Sequence, residues 1–553
     1  MRPHKLWALL SFTAVILPLA ACGGTPSTSS SSSSEGASSV SGSPIDNTQV
    51  GDNSIDDNYR AYYQIMPYSY SDSNGDGVGD LKGIIDKIDY IADLNYTGIY
   101  LNPVCSAYSY HKYDVMDYYA IDSQFGTLDD FDTLVSTAHA KGLKVLFDLV
   151  INHTSNRHPW FKAASQAALA GETDNQYYKY YNFSSTYPGS GWHVLTGSNP
   201  AIYFEGQFYD GMPDLNLQSV LDDPTCELGN ELSNIMAFWI TSHKVDGFRL
   251  DAVTSYFTGN ITKNTAFLTW INSTCKALNK DFYIVGEGSW ADNATENTTY
   301  QTSGVDSFFN FANRTTVGPV GASITKANVS KLETFMRKSW SVAGTSGIPA
   351  NFIGNHDVGR LVGACGGRSN LERAKLGHAF LQLLPGASYN YYGDEIGMAV
   401  PLNKAGDPDL RLHMNWGDSH VCSDPPGACA YQEATTYPYP SAALQLQDDT
   451  SLLSYVKKIN FLRKQFPEIA RGSSELLDNV TNSDATLSVG VIRFTYKEKS
   501  IVLVINPSNQ ETAFYDFGKL GKLSPLAEVA CHGNSTVSGT GLNLEIGGIV
   551  VLG

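Results

Sequence analysis

Basic residues are scarce in this 553-residue chain, which has 37 Lys and Arg against 55 Asp and Glu and a formal net charge of −18. Proteins that bind nucleic acid neutralise phosphates with clustered positive charge, so this balance argues against a nucleic-acid partner. Long apolar runs are also absent after the first 22 residues, so no later stretch is expected to cross a membrane. Hydrophobic types still make up 42% of the chain. A large core is therefore available, and the length indicates more than one domain.

The N-terminal segment MRPHKLWALLSFTAVILPLAAC carries Arg2 and Lys5 ahead of a short apolar run that stops at small residues. This pattern is typical of an export signal and is too short for a membrane span. Its end, LAAC, resembles a bacterial lipobox, so we expect residues 1–22 to be a lipoprotein signal peptide and Cys22 to carry lipid at the cell surface or in the periplasm. A signal peptide with an incidental cysteine is the alternative. The Ser-rich residues 23–55 have too little apolar surface to offset the entropy of ordering and predict a disordered tether.

Cysteine is sparse, with seven residues besides Cys22. The number is odd, so at least one of them has no partner within the chain. Cys422 and Cys429 lie in a Pro-containing loop of a chain that we expect to be exported. We therefore expect a disulfide between these two, although the sequence does not fix the connectivity.

Short β-rich apolar runs alternate with segments of helical spacing. Eight such strands predict an α/β fold, a (β/α)₈ barrel, because the rival doubly wound sheet gives no reason for eight repeats. The candidate strands are AYYQIMP at 61, TGIYLNP at 97, LKVLFDLV at 143, DGFRLDAV at 246, DFYIVGE at 281, GVDSFFN at 304, IPANFIGN at 348 and ASYNYYG at 387.

The barrel is expected to span residues 56–152 and 215–450. Between its two parts, residues 153–214 are rich in Tyr, Gly, Ser and Asn and predict a small domain inserted after the third strand. After a helix-like SLLSYVKKINFLRKQF, alternating runs such as TLSVGVIRFTY and KSIVLVINP predict a C-terminal antiparallel β-sandwich over residues 451–553.

The stretch SDSNGDGVGDLKG, which begins at Ser71, has oxygen-bearing side chains spaced as in the first nine places of an EF-hand loop. An EF-hand also needs a bidentate Glu at its twelfth place, where this chain has Gly83. A static cation clip is therefore expected rather than a calcium sensor. A turn of Gly, Asp and Asn without metal is the alternative.

Barrel enzymes build their sites at the C-terminal ends of their strands, so the polar residues there are the candidates for chemistry. Strand alternation places Arg249 and Asp251 on one side of the fourth strand. The other candidates are Asp148, Asn152 and His153 after the third strand, Glu287 after the fifth, and Asn355, His356 and Asp357 after the seventh. Each of these residues taken alone has an ordinary explanation as a cap, a loop residue or a structural histidine. Four polar clusters at four strand ends are harder to explain in that way.

Taken together, DLVINH, GFRLDAV, VGEG and NHD resemble the four signature segments of the α-amylase family of retaining glycoside hydrolases. YHKYDVMDYY, MPDLN, YYGDEIG and the SDSNGDGVGDLKG loop also resemble family features, so the resemblance spans about residues 59–420. MPDLN is similar to the version in an intermediate subgroup that includes exported lipoprotein α-amylases.

The resemblance implies that Asp251 is the nucleophile, that Glu287 is the general acid/base and that Asp357 binds the sugar hydroxyls. Arg249 is expected to hold Asp251 ionised, while neighbouring negative charge is expected to raise the pKa of Glu287. His153 and His356 match positions that donate hydrogen bonds to the sugar, and Tyr113 matches an aromatic platform beneath it, although ordinary packing is the alternative for a tyrosine.

The same resemblance implies Ca²⁺ as the cofactor. The ligand set that it implies consists of Asp72, Asn74, Asp76, the Val78 carbonyl and Asp80. A second calcium site at Asn152, with Asp214, stays open because Ser255 stands where a family histidine commonly gives its carbonyl.

Two departures bear on the outer subsites. Lys112 stands where many members have Gly, and RLHMNW, which begins at Arg411, matches the family's R-x-P-M-x-W pattern only loosely. These departures leave the catalytic assignment unchanged and leave endo versus exo action open.

The resemblance as a whole implies a monomeric enzyme that acts on α-glucan, with an α-amylase as the leading hypothesis. An α-glucosidase, a neopullulanase-like enzyme or a transglycosylase of the same family is the alternative. A non-catalytic sugar-binding protein is a remote one, since all three acidic residues are present.

Overall fold

The computed structural model describes residues 42–47, 57–290, 294–402, 404, 406–429 and 436–553. The expected signal peptide, the lipobox Cys22 and most of the expected tether lie outside this part of the chain. No helix in the described part has the length and apolar character needed to span a membrane.

Eight parallel strands form a closed barrel, which confirms the predicted fold class. Each strand pairs with the next along the chain, and β8 closes the ring on β1. Their residues are almost all buried because helices cover the outside and side chains fill the inside. The strands are β1 (Ala61–Ile65), β2 (Gly98–Leu101), β3 (Lys144–Leu149), β4 (Gly247–Leu250), β5 (Tyr283–Gly286), β6 (Ser307–Asn310), β7 (Ala350–Phe352) and β8 (Ala387–Tyr391).

Tyrosine rings fill the interior of the barrel. Tyr62 stacks on Tyr389 with ring centroids 4.9 Å apart and on Tyr283 at 5.9 Å. The Tyr283 and Tyr389 hydroxyls lie 3.0 Å apart, and the Tyr283 hydroxyl also donates to Ser307 Oγ at 2.7 Å. The hydroxyls of Tyr283 and Tyr389 are thus satisfied inside the core.

Helices follow the strands on the outside of the barrel. Leu128–Ala140 begins with a capping box in which Thr127 and Asp130 satisfy each other's backbone N–H groups, and its apolar residues face the barrel. The other principal helices are Leu81–Asp86, Ile88–Asp93, Glu227–Ala237, Ile261–Leu278, Ala294–Gln301, Pro319–Thr325, Ser330–Ala343, Leu361–Ala364, Leu371–Leu383 and Leu452–Gln465.

The segment between β3 and β4 contains the helix Pro159–Ala170 and a three-stranded sheet of Phe183–Ser184, Tyr203–Glu205 and Trp192–Val194. Its two ends return to the same place. Leu215 N–H donates to the Asn152 carbonyl at 2.9 Å, and His153 and Asp214 form an isolated bridge. These contacts fix the inserted segment at the end of β3, beside the residues considered below.

Two antiparallel sheets make up the C-terminal part. One contains Ser473–Thr481, Ser488–Tyr496, Lys499–Ile505, Ile549–Leu552 and Pro525–Val529. The other contains Ala513–Asp516, Gly541–Leu544 and Thr536–Ser538, with Ser43–Pro44 as an edge strand.

Two expectations are corrected by the structure. Residues 42–47 lie within the expected tether, yet Ser43–Pro44 pairs with Thr536–Ser538, and the Asn47 amide bonds to the Glu528 backbone. Backbone pairing orders this piece, together with Ile45, which packs against the apolar core of the C-terminal part. Cys422 and Cys429 are not joined to each other in a disulfide, and the Cys429 thiol lies 3.2 Å from Asp409 Oδ2.

Candidate functional site

A cleft of about 680 Å³ opens at the C-terminal end of the barrel, and we call it the main cleft. The predicted residues Asp251, Glu287, Asp357, Tyr113 and His153 all line it. They come from different loops and strand ends that only the closed barrel brings together. Among the other lining residues are His111, Phe208, Ser255, Trp290, Asp407 and Arg411.

Arg249 is the buried centre of the cluster beneath this cleft. Its Nη1 lies 2.7 Å from Asp251 Oδ1 and 3.0 Å from Asp148 Oδ1. Its Nη2 lies 3.0 Å from Glu287 Oε2. One guanidinium therefore holds three carboxyl groups, which is the planar, multidentate geometry that arginine supplies and lysine does not.

The register of β4 and β5 places Asp251 and Glu287 side by side. Leu250 pairs with Gly286, so the next residue on each strand stands at the same level. Adjacent strands lie about 4.8 Å apart. The Ala252 N–H, one residue after Asp251, donates to Glu287 Oε2 at 2.8 Å, and Ala252 has a left-handed φ of 51°. The backbone turns there in a way that points this N–H at the neighbouring carboxylate.

Trp290 completes the surroundings of Glu287. Its indole N–H donates to Glu287 Oε1 at 2.8 Å, and its ring stacks on Phe311 with centroids 4.8 Å apart. The side chain is 43% exposed, so it also forms part of the cleft wall. Sequence reasoning missed this residue because it lies four positions beyond the end of β5.

Asp357 lies between two basic side chains. Its Oδ1 accepts from Arg411 Nη2 at 2.8 Å, and its Oδ2 lies 2.9 Å from His356 Nε2. Burial alone would raise the pKa of Asp357, but His356 and Arg411 hold that pKa below its usual range. Arg411, which also donates from Nε to the His356 carbonyl, was left out of the predicted site because its motif matched only loosely.

Tyr113 lies against the ring of His356 in parallel, with centroids 5.6 Å apart. The Tyr113 hydroxyl lies 2.6 Å from His356 Nε2 and donates to Asp148 Oδ2 at 3.0 Å. Behind the histidine, Gln64 Nε2 lies 2.8 Å from His356 Nδ1. This chain of hydrogen bonds connects the Asp357 side of the cleft to the Arg249 cluster.

His153 presents an unsatisfied nitrogen beside the cleft. The residue is 2% exposed, and its Nε2 has no hydrogen-bond partner among the described residues. Burial lowers the pKa of His153 to about 4, so the ring is neutral at pH 7. A neutral imidazole can donate one hydrogen bond to a hydroxyl group, which suits a sugar.

Arg249, which is expected to hold Asp251 ionised, is one of several groups that set the pKa of Asp251 in the structure. Burial raises the pKa of Asp251, Arg249 opposes this rise, and Glu287, Asp148 and Asp357 reinforce it. Burial also raises the pKa of Asp148. Three carboxyl groups share one guanidinium, so the site is poised to hold a proton within the cluster.

The Ser71 to Gly83 loop turns by its own side-chain hydrogen bonds. Asp72 Oδ2 accepts from Gly77 N–H at 2.7 Å, and Asn74 Oδ1 accepts from Asp76 N–H at 2.9 Å. Asp76 Oδ1 accepts from Val78 N–H at 2.8 Å. These hard oxygen donors fit Ca²⁺ chemistry and keep acceptor capacity, since a carboxylate oxygen has two lone pairs.

Asp80 is engaged elsewhere, because its Oδ1 caps the helix Leu81–Asp86 at Gly83 N–H. In the described part of the chain no three His, Cys, Asp or Glu side chains converge as a metal centre. A calcium ion at this loop would depend on Asn74 and the Val78 carbonyl as well as on the aspartates. It would pin the loop and supply no chemistry.

Asn152 and Asp214 are neighbours, with Asn152 Nδ2 3.3 Å from Asp214 Oδ1. Burial raises the pKa of Asp214 to about 8. Asn152 and Asp214 thus lie together at the two ends of the inserted segment, as the second calcium site would require.

Lys112 explains one departure from the family pattern. Its φ is 63°, a left-handed conformation that glycine adopts freely. The lysine offsets the strain with a buried ion pair, since its Nζ lies 3.0 Å from Asp122 Oδ2 and 2.7 Å from Gln124 Oε1. The ion pair and hydrogen bond of Lys112 thereby hold the neighbouring Tyr113 in place without a glycine at position 112.

The barrel and its paired carboxyl groups define the protein as a barrel glycoside hydrolase. Residues 64–472 match the family described as alpha amylase, catalytic domain. The chain belongs to the α-amylase family.

Individual relatives agree with this assignment. "Alpha-amylase 3" of Dictyoglomus thermophilum is 32% identical over 459 residues, covering 82% of this chain and 85% of that protein. "Oligo-1,6-glucosidase" of Parageobacillus thermoglucosidasius is 29% identical over 493 residues, covering 75% of this chain and 84% of that protein. Among solved structures, Eubacterium rectale Amy13B superposes with a TM-score of 0.81 at 35% identity, covering 92% of this chain and 99% of that chain.

Proposed function

We propose that this protein hydrolyses internal α-1,4-glucosidic bonds of starch and maltodextrins with retention of configuration. The observation that carries the proposal is the level pairing of Asp251 and Glu287 on adjacent strands beside one guanidinium. Retaining glycosidases need two carboxyl groups about 5 Å apart, which is close to the spacing of neighbouring strands.

In the proposed reaction Asp251 attacks the anomeric carbon while Glu287 gives its proton to the leaving glycosidic oxygen. The bond from that carbon to the leaving oxygen breaks, and a bond to Asp251 forms. Glu287 then takes a proton from water, which displaces Asp251, so two inversions retain the α configuration. Asp357, His356 and His153 would bind the hydroxyls of the reacting sugar, and Tyr113 would lie beneath it.

An oligosaccharide α-glucosidase of the same family is the second candidate. The relatives named oligo-1,6-glucosidase and glucan 1,6-alpha-glucosidase are 28–29% identical, nearly as similar as the relative named alpha-amylase. Neopullulanase-like or transglycosylating action would use the same carboxyl groups with another bond or acceptor.

Digestion of maltoheptaose, followed by chromatography and anomeric NMR, tests the proposal. Internal cleavage gives early mixed maltooligosaccharides with the α-anomer formed first. Glucose and maltohexaose as the only early products would favour the glucosidase, and an initial β-anomer would contradict a retaining mechanism. Glu287→Gln tests the role of this residue, because full starch-degrading activity in the variant would exclude the acid/base assignment.

We further propose that the protein is exported and lipid-anchored through Cys22, that it belongs to the MPDLN-type subgroup, that it is a monomer and that it binds Ca²⁺ at the Ser71 to Gly83 loop. The leader sequence supports export, the segment Met212 to Asn216 supports the subgroup, and the oxygen donors of the loop support Ca²⁺ binding. Mass spectrometry of the membrane fraction would detect the lipid. Chelation should lower Tm by a few degrees, because loss of a ligand bound only by the folded state removes its stabilisation, and Asp76→Asn should abolish that response.

A further inference from the structure

A separate cavity of about 300 Å³ is formed by the loops that follow β6, β7 and β8, and we call it the basic pocket. These loops leave the C-terminal ends of the strands, so the pocket opens at the same end of the barrel as the main cleft. No residue lines both cavities. The volume is at the lower end of the range found for small-ligand sites.

The basic pocket has charge of one sign in its lining. Four basic side chains line it, and none of its described lining residues is Asp or Glu, in a chain whose net charge is −18. A cavity lined by one sign of charge focuses the electrostatic potential and concentrates ions of the opposite sign. The pocket is therefore suited to an anion. The four side chains are Arg314, Arg360, Arg368 and Lys404.

Arg360 is the buried member of this set. It is 1% exposed, its Nη1 donates to the Tyr392 carbonyl at 2.6 Å, and its Nη2 donates to the Leu410 carbonyl at 3.3 Å. Its Nε–H has no hydrogen-bond partner among the described residues. A buried donor without an acceptor is destabilising, and an anion in the adjoining pocket would supply the acceptor.

Asp394 is the acidic side chain that contacts Arg360. Its Oδ1 lies 3.2 Å from Arg360 Nη1, and it does not line the pocket. Burial raises the pKa of Asp394 to about 7, so this carboxyl group is only partly ionised at pH 7. Part of the positive charge of Arg360 is therefore left uncompensated.

The walls of the pocket leave room for a ligand larger than a single atom. A methyl group at Gly359 or Gly363 would have no atom of another segment within 4 Å. Thr315 and Thr316 are exposed in the lining and offer hydroxyl groups as well as the basic side chains. Several donors around an open space suit an anion with several oxygens, and arginine recognises phosphate in this way.

We propose that the basic pocket binds a phosphate group, which belongs either to free inorganic phosphate or to a phosphate monoester. A phosphate group carries nearly two negative charges at pH 7 and three strong acceptor oxygens, which match a set of converging cationic donors. The inference does not depend on the proposed function, because the pocket shares no residue with the main cleft.

Titration calorimetry with inorganic phosphate tests the site. Constant ionic strength and EDTA throughout prevent phosphate from acting by general screening or by removing Ca²⁺. We expect saturable binding in the wild type and about fivefold weaker binding in Arg368→Gln and in Lys404→Gln, since each loses a charge-assisted contact. Lys280→Gln, a change in an exposed lysine outside the pocket, is the matched control and should keep the wild-type affinity.

Glucose 6-phosphate distinguishes the two sources of the phosphate group. Binding tighter than that of inorganic phosphate would show that the pocket takes a monoester and contacts its organic part. Equal or weaker binding would identify free phosphate as the ligand.

A pair of substitutions at Gly363 separates charge from shape. Gly363 lies in the helix Leu361–Ala364 without a left-handed φ, so a side chain there is not strained. Gly363→Asp places a carboxylate at the pocket and should bind phosphate at least about tenfold more weakly than Gly363→Asn, which has the same shape without the charge. Thermal unfolding in phosphate-free buffer checks that both variants fold.

Three results would overturn the phosphate site. The first is the absence of saturable binding in the wild type. The second is unchanged affinity in both Arg368→Gln and Lys404→Gln, which would place the bound anion elsewhere. The third is an equal loss in Gly363→Asp and Gly363→Asn, which would show that the charge of the pocket does not matter.

Discussion

The two ends of the main cleft hold the same kind of side chain in opposite electrostatic settings. At the β4 and β5 end, Asp251 shares Arg249 with Asp148 and Glu287, so three acidic groups surround one cation. At the β7 end, Asp357 alone contacts His356 and Arg411. Burial and negative neighbours raise the pKa of Asp251, whereas the basic neighbours lower the pKa of Asp357 despite its burial.

The difference shows how one residue type can serve two purposes. A carboxyl group in an acid-rich cluster sits close to a change of protonation, which suits proton transfer, while Arg249 opposes the rise in pKa that would protonate the nucleophile Asp251. A carboxylate held between Arg411 and His356 with a lowered pKa stays charged, which suits fixed binding of hydroxyl groups. The environment, more than the residue type, therefore separates the proposed roles.

The largest effect is expected from removing the acids of the first cluster. Asp251→Asn or Glu287→Gln should reduce kcat by about 10⁴-fold or more, because each removes a group that the double displacement requires. Asp89→Asn, a change in a surface carboxylate paired with Lys141, is the matched control and should leave kcat unchanged. Residual activity within tenfold of wild type in either variant would remove that residue from the proposed mechanism.

Arg249→Met should reduce kcat/KM by about 10²-fold or more, since three buried carboxyl groups would lose their common donor. Arg249 opposes the rise in the pKa of Asp251, so its loss raises that pKa further. The nucleophile must be ionised, and the acid limb of the pH profile should therefore move to higher pH. An unmoved acid limb measured with soluble maltooligosaccharide would show that Arg249 does not set this ionisation.

The barrel could be predicted from the sequence because every strand is a compact apolar run, and eight strands that alternate with helices fit few folds other than a closed barrel. It was also sufficient to choose the residues at strand ends, since barrel topology sends those residues to one side. It could not give Trp290, because a side chain four residues past β5 reaches Glu287 only through the path of the loop. It could not give the edge strand Ser43–Pro44 either, since backbone pairing with Thr536–Ser538 and one apolar contact, that of Ile45, leave no periodic hydrophobic pattern.

Trp290→Phe should have a smaller effect, a fall in kcat of about fivefold, equal to about 1 kcal/mol for one lost hydrogen bond. The phenyl ring can keep the stacking on Phe311, so Tm should stay near the wild-type value. A purely structural role for Trp290 would instead lower Tm and leave kcat unchanged. Steady-state kinetics beside thermal unfolding distinguishes the two results.

The smallest expected effects have opposite signs at the two ends of the cleft. When the folded-state pKa of a carboxyl group is raised, the protein becomes less stable as the pH rises through that pKa. Asp251→Asn removes this carboxyl group and should therefore raise Tm at pH 7 by about 2 °C. Asp357 has a lowered pKa, and its contribution is present above the unfolded-state pKa of about 4 and is lost as the pH falls through the folded-state value. Asp357→Asn should therefore lower Tm at pH 7 and have less effect in strong acid. Calorimetric unfolding of both variants from pH 3 to pH 8 checks this, and shifts of the same sign would mean that the two ends of the cleft are not electrostatically distinct.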